Sequence, residues 1–317
     1  MDELHKFIFE GMPVRGMLVR LDASWREILR RRDAAGGYPA EVRVLLGEMA
    51  AAAALMQANI KFNGSLTLQI YGDGPVKLAV AEVQPDLSLR ATAKVVGDVE
   101  EGAGLAALVN VHNRGRCSIT LDPKSRLPGQ QPYQGIVPLH GDHREPLHHI
   151  AQVLEHYMLQ SEQLDTRLIL AANDELACGL LVQRLPVEGE GNIGKHREDE
   201  IGENEDYNRI SQLAATLTRE ELLTLDVDTI LRRLFWEEPM QRFEPLAPRF
   251  ACTCSRTRVG SMLRSLGREE VDSLISERGV AEVGCDFCGA QYRFDAVDVG
   301  EVFTAPRDQL PTPRTVQ

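Results

Sequence analysis

The chain has 317 residues, 43% of them hydrophobic and 26% charged, with a formal net charge of −12. That length suffices for two domains, and the acidic balance argues against general affinity for nucleic acid or anionic membranes. There is no run of 18 apolar residues, and Met1-Asp2-Glu3-Leu4-His5-Lys6 lacks the basic-then-apolar pattern of a signal peptide, so a cytoplasmic protein with reduced cysteines is expected.

The first 186 residues read as one α+β domain. Apolar runs predict strands at His5–Phe9, Val14–Leu21, Ser65–Tyr71, Val76–Val83, Leu87–Val96, Cys117–Leu121, Thr166–Ala171 and Cys178–Leu185. Turn signals at Gly72-Asp73-Gly74-Pro75 and Gln84-Pro85-Asp86 suggest antiparallel meanders. Two helical stretches interrupt them. Ala40–Ile60 places Val42, Leu45, Leu46, Met49, Ala53, Met56 and Ile60 on one side, and Glu145–Glu162 does the same with Leu147, Ile150, Val153, Leu154, Tyr157 and Met158. The expected class is therefore α+β: a mixed, largely antiparallel sheet with packed helices, followed by a helical linker and a small C-terminal domain.

Composition changes from Val187, and residues 187–248 read as an acidic insertion followed by the linker. Glu188–Asp206 carries eight acidic and two basic residues and four glycines, the pattern of a solvated, disordered insertion. Helical pieces follow at Tyr207–Leu217, Thr218–Leu225 and Asp228–Phe235, with Thr218 and Glu221 spaced as a capping box. These pieces are apolar, yet too short to be stable alone. They must lie against something. Prolines 239, 245 and 248 lead into a cysteine domain at 249–300, with helices at Arg256–Leu266 and Arg268–Ser276 and strands at Val280–Val283 and Gln291–Phe294; residues 301–317 read as a disordered tail.

Four of the six cysteines fall in that last domain, as Cys252-Thr253-Cys254 and Cys285-Asp286-Phe287-Cys288. Four thiolates in two clusters form the ligand set of a closed tetrahedral zinc site, one Zn²⁺ per chain. Each pair is also close enough in sequence to close its own disulfide, so the cluster has a zinc-thiolate state and a disulfide state. Arginines 256, 258 and 264 follow the first pair and would favour thiolate. A structural zinc site supplies about 10–16 kcal/mol in finger peptides, as much as a whole domain's stability of about 5–15 kcal/mol. A disulfide across so short a loop restores little of that, so oxidation is expected to eject zinc and unfold the small domain. The competing reading is a constitutive protein-interaction module with a static zinc staple. A nucleic-acid ribbon fits poorly, because Cys252–Phe294 holds six arginines against six acidic residues.

The remaining candidates carry less. Cys117 and Cys178 lie in apolar strands and read as small buried hydrophobes. His140, His143, His148 and His149 straddle a loop and a helix start with no neighbouring cysteine, which is a poor ligand set. Gly72-Asp73-Gly74 is a hairpin turn rather than a phosphate cradle. No nucleophile elbow, phosphate loop or carboxylate pair stands out, so an enzyme is not expected.

The CxC…CxxC pattern resembles the zinc centre of the redox-regulated heat-shock chaperones, the bacterial 33 kDa chaperonin family. Gly47-Glu48, Lys61-Phe62, Gln69–Pro75, Tyr133–Val137, Ser161–Arg167 and Ala177–Gln183 are similar to that family too, so the resemblance spans nearly the whole chain. Glu188–Asp206 departs from it, being longer and more acidic than that family's domain junction is expected to be. The resemblance implies an ATP-independent holdase that binds unfolding proteins, inactive while Cys252, Cys254, Cys285 and Cys288 hold Zn²⁺. It further implies that oxidants join Cys252 to Cys254 and Cys285 to Cys288 with loss of zinc, and that the linker then unfolds and uncovers a client-binding surface. Family members are expected to dimerise on activation and to pass clients to ATP-dependent chaperones.

Overall fold

The structure, a computed structural model, describes residues 1–33, 36–125, 130–185 and 204–304. It divides into two compact units, Met1–Ala251 and a second that begins at Cys252. Most of the acidic insertion and the proline-containing tail lie outside the described residues. Among the described residues no helix is long and apolar enough to cross a membrane.

The first unit is α+β, and its strands form two sheets where the strand pattern suggested one. The first sheet pairs β1 (Glu3–Phe9), β2 (Val14–Leu21), β9 (Ala177–Arg184) and β8 (Thr166–Ala172), all antiparallel, with the short β10 (Met240–Arg242) added beside β1. The second is an antiparallel meander of β5 (Ser88–Val95), β4 (Val76–Val83), β3 (Gly64–Tyr71), β6 (Arg116–Pro123) and β7 (Tyr133–Pro138). Beside β5 runs β11 (Arg249–Phe250), in parallel. Predicted β5 began at Leu87, but that residue takes a left-handed turn with φ 58° and its amide closes on the Gln84 carbonyl at 2.9 Å, so pairing starts one residue later.

Helix α2 (Ala40–Asn59) lies between the sheets, packing on β2, β8 and β9 of one and β3, β4 and β5 of the other. Its stripe reads as one-sided in the sequence, yet residues 45–57 are all buried. The reason is Ala50–Ala54, five small residues that admit a second sheet where larger side chains would hold it off. Gly47 serves the same approach, since a Cβ there would come within 2.5 Å of the Ala172 Cβ. Helices α1 (Ala23–Asp33), α3 (Leu105–Val109) and α4 (Ile150–Glu162) close the same core. Helix α4 starts five residues later than its periodicity suggests: the amides of His148 and His149 donate to Gln152 Oε1 at 2.8 and 3.1 Å and end the helix there.

The first sheet is apolar on both faces. Met17, Val19, Leu21 and Leu181 face α2, whereas Phe7, Phe9, Val14, Leu18, Cys178, Leu180 and Val182 form the opposite face. That second face is covered by α5 (Glu205–Ala215), α6 (Arg219–Thr224) and α7 (Val227–Phe235), the helices of the linker. They bury Ile210, Leu222, Ile230, Leu231, Leu234 and Phe235 there, joined by Leu217 from the α5–α6 connection, with the Phe235 ring edge-on to Phe9 at 5.0 Å. The surface that the short apolar helices need is this sheet face.

Candidate metal centre

The second unit is built from α8 (Arg256–Leu266), α9 (Arg268–Arg278), the hairpin β12 (Ala281–Gly284) and β13 (Gln291–Phe294), and α10 (Ala296–Phe303). Its described core is small: Leu263, Val271, Ala281, Phe294 and Val299 are the buried apolar residues. A core of that size gives little stability without a covalent or metal cross-link.

Each cysteine pair sits at the start or end of an element. Cys252 and Cys254 lie in the extended segment before α8, whose first turn is capped by Ser255 Oγ accepting from the Arg258 amide at 3.2 Å. Cys285 and Cys288 lie in the hairpin turn. There the Cys285 amide donates to the Ala290 carbonyl and the Gly289 amide returns to the Cys285 carbonyl, at 2.9 and 2.8 Å. Gly289 has φ +72°, a left-handed position that a β-carbon would strain, and it turns the chain back under Cys288.

These elements bring all four predicted cysteines together. Their sulfurs lie within 4.8 Å of one another, with Cys252 Sγ 3.7 Å from Cys285 Sγ and Cys254 Sγ 3.3 Å from Cys288 Sγ. A tetrahedron with metal–sulfur legs of about 2.3 Å has edges of about 3.8 Å, so the spacing fits a four-thiolate metal site. None of the four is in a disulfide.

Burial pushes the Cys285 thiol up, and it pushes Cys288 up to about 12. Each of the three arginines that follow the first pair has a partner of its own. Arg256 is paired with Asp298 at 2.6 Å and stacks 4.3 Å from the Phe294 ring centre, and Arg264 donates to the Val302 carbonyl. Arg258 donates to the carbonyl and hydroxyl of Thr253, where it braces the CxC turn. A bound cation would supply the charge that holds the sulfurs as thiolates.

Tyr292 was not legible as part of the site. Its hydroxyl donates to Cys254 Sγ at 3.1 Å, and that bond to sulfur, ahead of desolvation, raises the phenol to about 12. Its strand position opposite Val283 was predictable, but its reach to the cysteine was not. Cys117 and Cys178 are fully buried and free, with burial raising their thiols to about 12 and about 11. The His140 ring bonds to the neighbouring Gly141 carbonyl and the His143 amide donates to Glu145.

A family model described as Hsp33 protein matches residues 2–295. A 33 kDa chaperonin of Chromobacterium violaceum is 47% identical over 302 residues, covering 95% of this chain and 94% of the relative. One from Methylobacillus flagellatus is 42% identical over 304 residues, covering 96% and 94%. The crystal structure of the 33 kDa chaperonin of Thermotoga maritima, a heat shock protein 33 homologue, superposes with a TM-score of 0.74 at 21% identity, a likeness of fold over 95% of this chain and 98% of that one. By the span of the family match and by these identities, the chain belongs to the Hsp33 family.

Proposed function

We propose that the chain is a molecular chaperone of the holdase type, cytoplasmic and independent of ATP, which binds unfolding proteins when oxidants reach its cysteine centre. The observation that carries this reading is an apolar sheet face covered by short helices that lie immediately upstream of a four-thiol cluster. The polypeptide supports a connection between the two. Met240, Gln241 and Arg242 pair with β1, and Arg249 and Phe250 pair with β5. The Ala251 amide donates to the Leu89 carbonyl at 3.1 Å, so the chain is hydrogen-bonded to the first unit up to the residue before Cys252. A large apolar face, rather than a shaped pocket, is what recognition of unfolded chains requires.

In the reduced state Cys252, Cys254, Cys285 and Cys288 hold one Zn²⁺, with Tyr292 donating to one sulfur. The ion would supply the charge that keeps four sulfurs deprotonated and would cross-link the two halves of a small unit. On oxidation the Cys252 and Cys254 sulfurs join, as do those of Cys285 and Cys288. Each new S–S bond releases two electrons to a peroxide, which leaves as two hydroxide ions. No thiolate then remains to hold the ion, and the small unit loses its main constraint. The linker helices α5–α7 then leave the sheet, and the uncovered surfaces bind clients. The activated form is a homodimer and passes clients to ATP-dependent chaperones once reducing conditions return.

Light scattering from a thermally unfolding test protein tests this reading, with the chain added either reduced and zinc-loaded or peroxide-treated. Suppression of aggregation by the oxidised form alone is expected. Equal behaviour of both forms would leave a constitutive interaction module with a static zinc site.

A further inference from the structure

The linker helices are held by more than apolar contact. Helix α6 is six residues long and is fastened at both ends by an arginine. At its first residue, Arg219 donates to Glu48 Oε1 at 3.0 Å and to the Ala172 carbonyl. At its other end, Arg20 of β2 donates to the Leu222 and Leu225 carbonyls at 3.0 and 2.6 Å, among the groups a helix end leaves without intrahelical partners. Between the two, Leu222 is fully buried, and Arg233 of α7 reaches back to Glu221 at 2.5 Å.

Glu48 belongs to α2, the helix between the sheets, and is itself buried. Arg219 is the charged group that faces it, and burial still pushes its carboxyl up to about 7 against the pull of that arginine. A buried carboxylate must find either an opposite charge or water. Docked α6 gives it Arg219, and undocked α6 would give it water. Docking α6 without Arg219 would leave the charge with neither. The same holds for Arg20, which exchanges helix carbonyls for water when α6 leaves. Both end states are therefore satisfied, and intermediate or misregistered ones are not. Interactions of this kind contribute little net stability but make a packed state conditional on one geometry.

The geometry points to Glu48, Arg219 and Arg20 as the latch that seats the linker on the first unit and sets how readily it leaves. They are positioning residues, and the inference rests on the switching role proposed above. The release threshold is then set partly in the first unit, apart from the four thiols. Arg219→Ala should open the linker while the cysteine centre remains reduced and metal-bound.

The test compares hydrogen exchange and test-protein aggregation for the full-length, reduced, zinc-loaded chain as wild type, Arg219→Ala, Arg219→Lys and Arg20→Met. In Arg219→Ala, amides of α5–α7 should exchange about 10- to 100-fold faster, the effect of losing a hydrogen-bonded charge. Amides of β3 and β6 should keep wild-type rates. The variant should suppress aggregation without peroxide while retaining one zinc per chain, and Arg219→Lys should recover most of the protection. Unchanged exchange in α5–α7 would overturn the latch. So would a uniform rise that includes β3 and β6, since the pair would then be a general support of the core. Should Arg219→Ala not fold, Arg20→Met decides, because it leaves Glu48 paired: unchanged protection of α6 overturns the proposal. If peroxide fails to activate the wild type, the proposed function falls, whereas the exchange comparison still reads the latch.

Discussion

Phe235 and Trp236 are adjacent aromatic residues at the end of α7 with opposite surroundings. Phe235 is 1% exposed, edge-on to Phe9 at 5.0 Å and tilted against Phe7 at 6.2 Å, whereas Trp236 is 74% exposed. Truncating a buried phenylalanine to alanine costs about 3–5 kcal/mol, through lost transfer free energy and the cavity left behind. Phe235 belongs to the cluster between linker and sheet rather than to the core around α2, so the cost falls on linker docking. At about 1.4 kcal/mol per tenfold, Phe235→Ala should shift that equilibrium toward release by roughly 100- to 4,000-fold. Trp236→Ala, a surface change, should stay within about 0.5 kcal/mol. Hydrogen exchange across Glu205–Phe235 in the reduced, zinc-loaded protein reads both. A rise of less than about tenfold in Phe235→Ala, or an equal rise in Trp236→Ala, would refute the claim that this cluster holds the linker down.

Further expectations concern the metal centre and the buried carboxylate. Cys288→Ser should lower zinc content and uncouple activity from oxidant, and full zinc content with normal switching would mean the assigned ligand set is wrong. Tyr292→Phe removes the hydroxyl bound to Cys254 Sγ and should weaken metal affinity about 10- to 100-fold, as outer-shell partners of ligands do. Competition with a chromophoric chelator measures this, and an unchanged affinity would remove Tyr292 from the site. The Glu48 carboxyl sits near 7 in the folded state, above its ordinary value of 4.5. A raised value means the folded state binds the proton more tightly, so the contribution is fully present below about pH 4.5 and is lost as pH rises through 7, on the order of 3 kcal/mol. Thermal unfolding of wild type and Glu48→Gln between pH 5 and pH 8 should show the wild type losing more stability, and parallel curves would contradict this.

Much of the fold was legible because local pattern and tertiary context agree. The capping box Thr218–Glu221 could be seen in the sequence and forms, with both Thr218 groups bonded to the Glu221 carboxylate at 3.0 and 2.8 Å. Helix α8 and strand β13 fall on their predicted bounds. Disagreement comes where a second partner decides. The α2 stripe hides the fact that five alanines admit another sheet. β10 and β11 are too short for any periodicity and exist because β1 and β5 offer open edges. Helix α10 was not anticipated: it follows β13 directly, and its start is set by Asp295, which accepts from the Val297 and Asp298 amides. At the metal centre the cysteine spacing identified the cluster. Tyr292 and Arg258 act through contacts across the hairpin and the CxC turn, which linear spacing does not encode.

The central claim is that one event at the four thiols frees the linker. Stepwise peroxide addition to the reduced, zinc-loaded protein tests it most directly, following zinc release, peptide-mapped disulfides, exchange across Glu205–Phe235 and suppression of test-protein aggregation in the same samples. Cys252–Cys254 and Cys285–Cys288 disulfides, zinc loss, linker exchange and suppression are expected to rise together. Suppression at full strength before zinc leaves, or a linker that stays protected after both disulfides have formed, would contradict it.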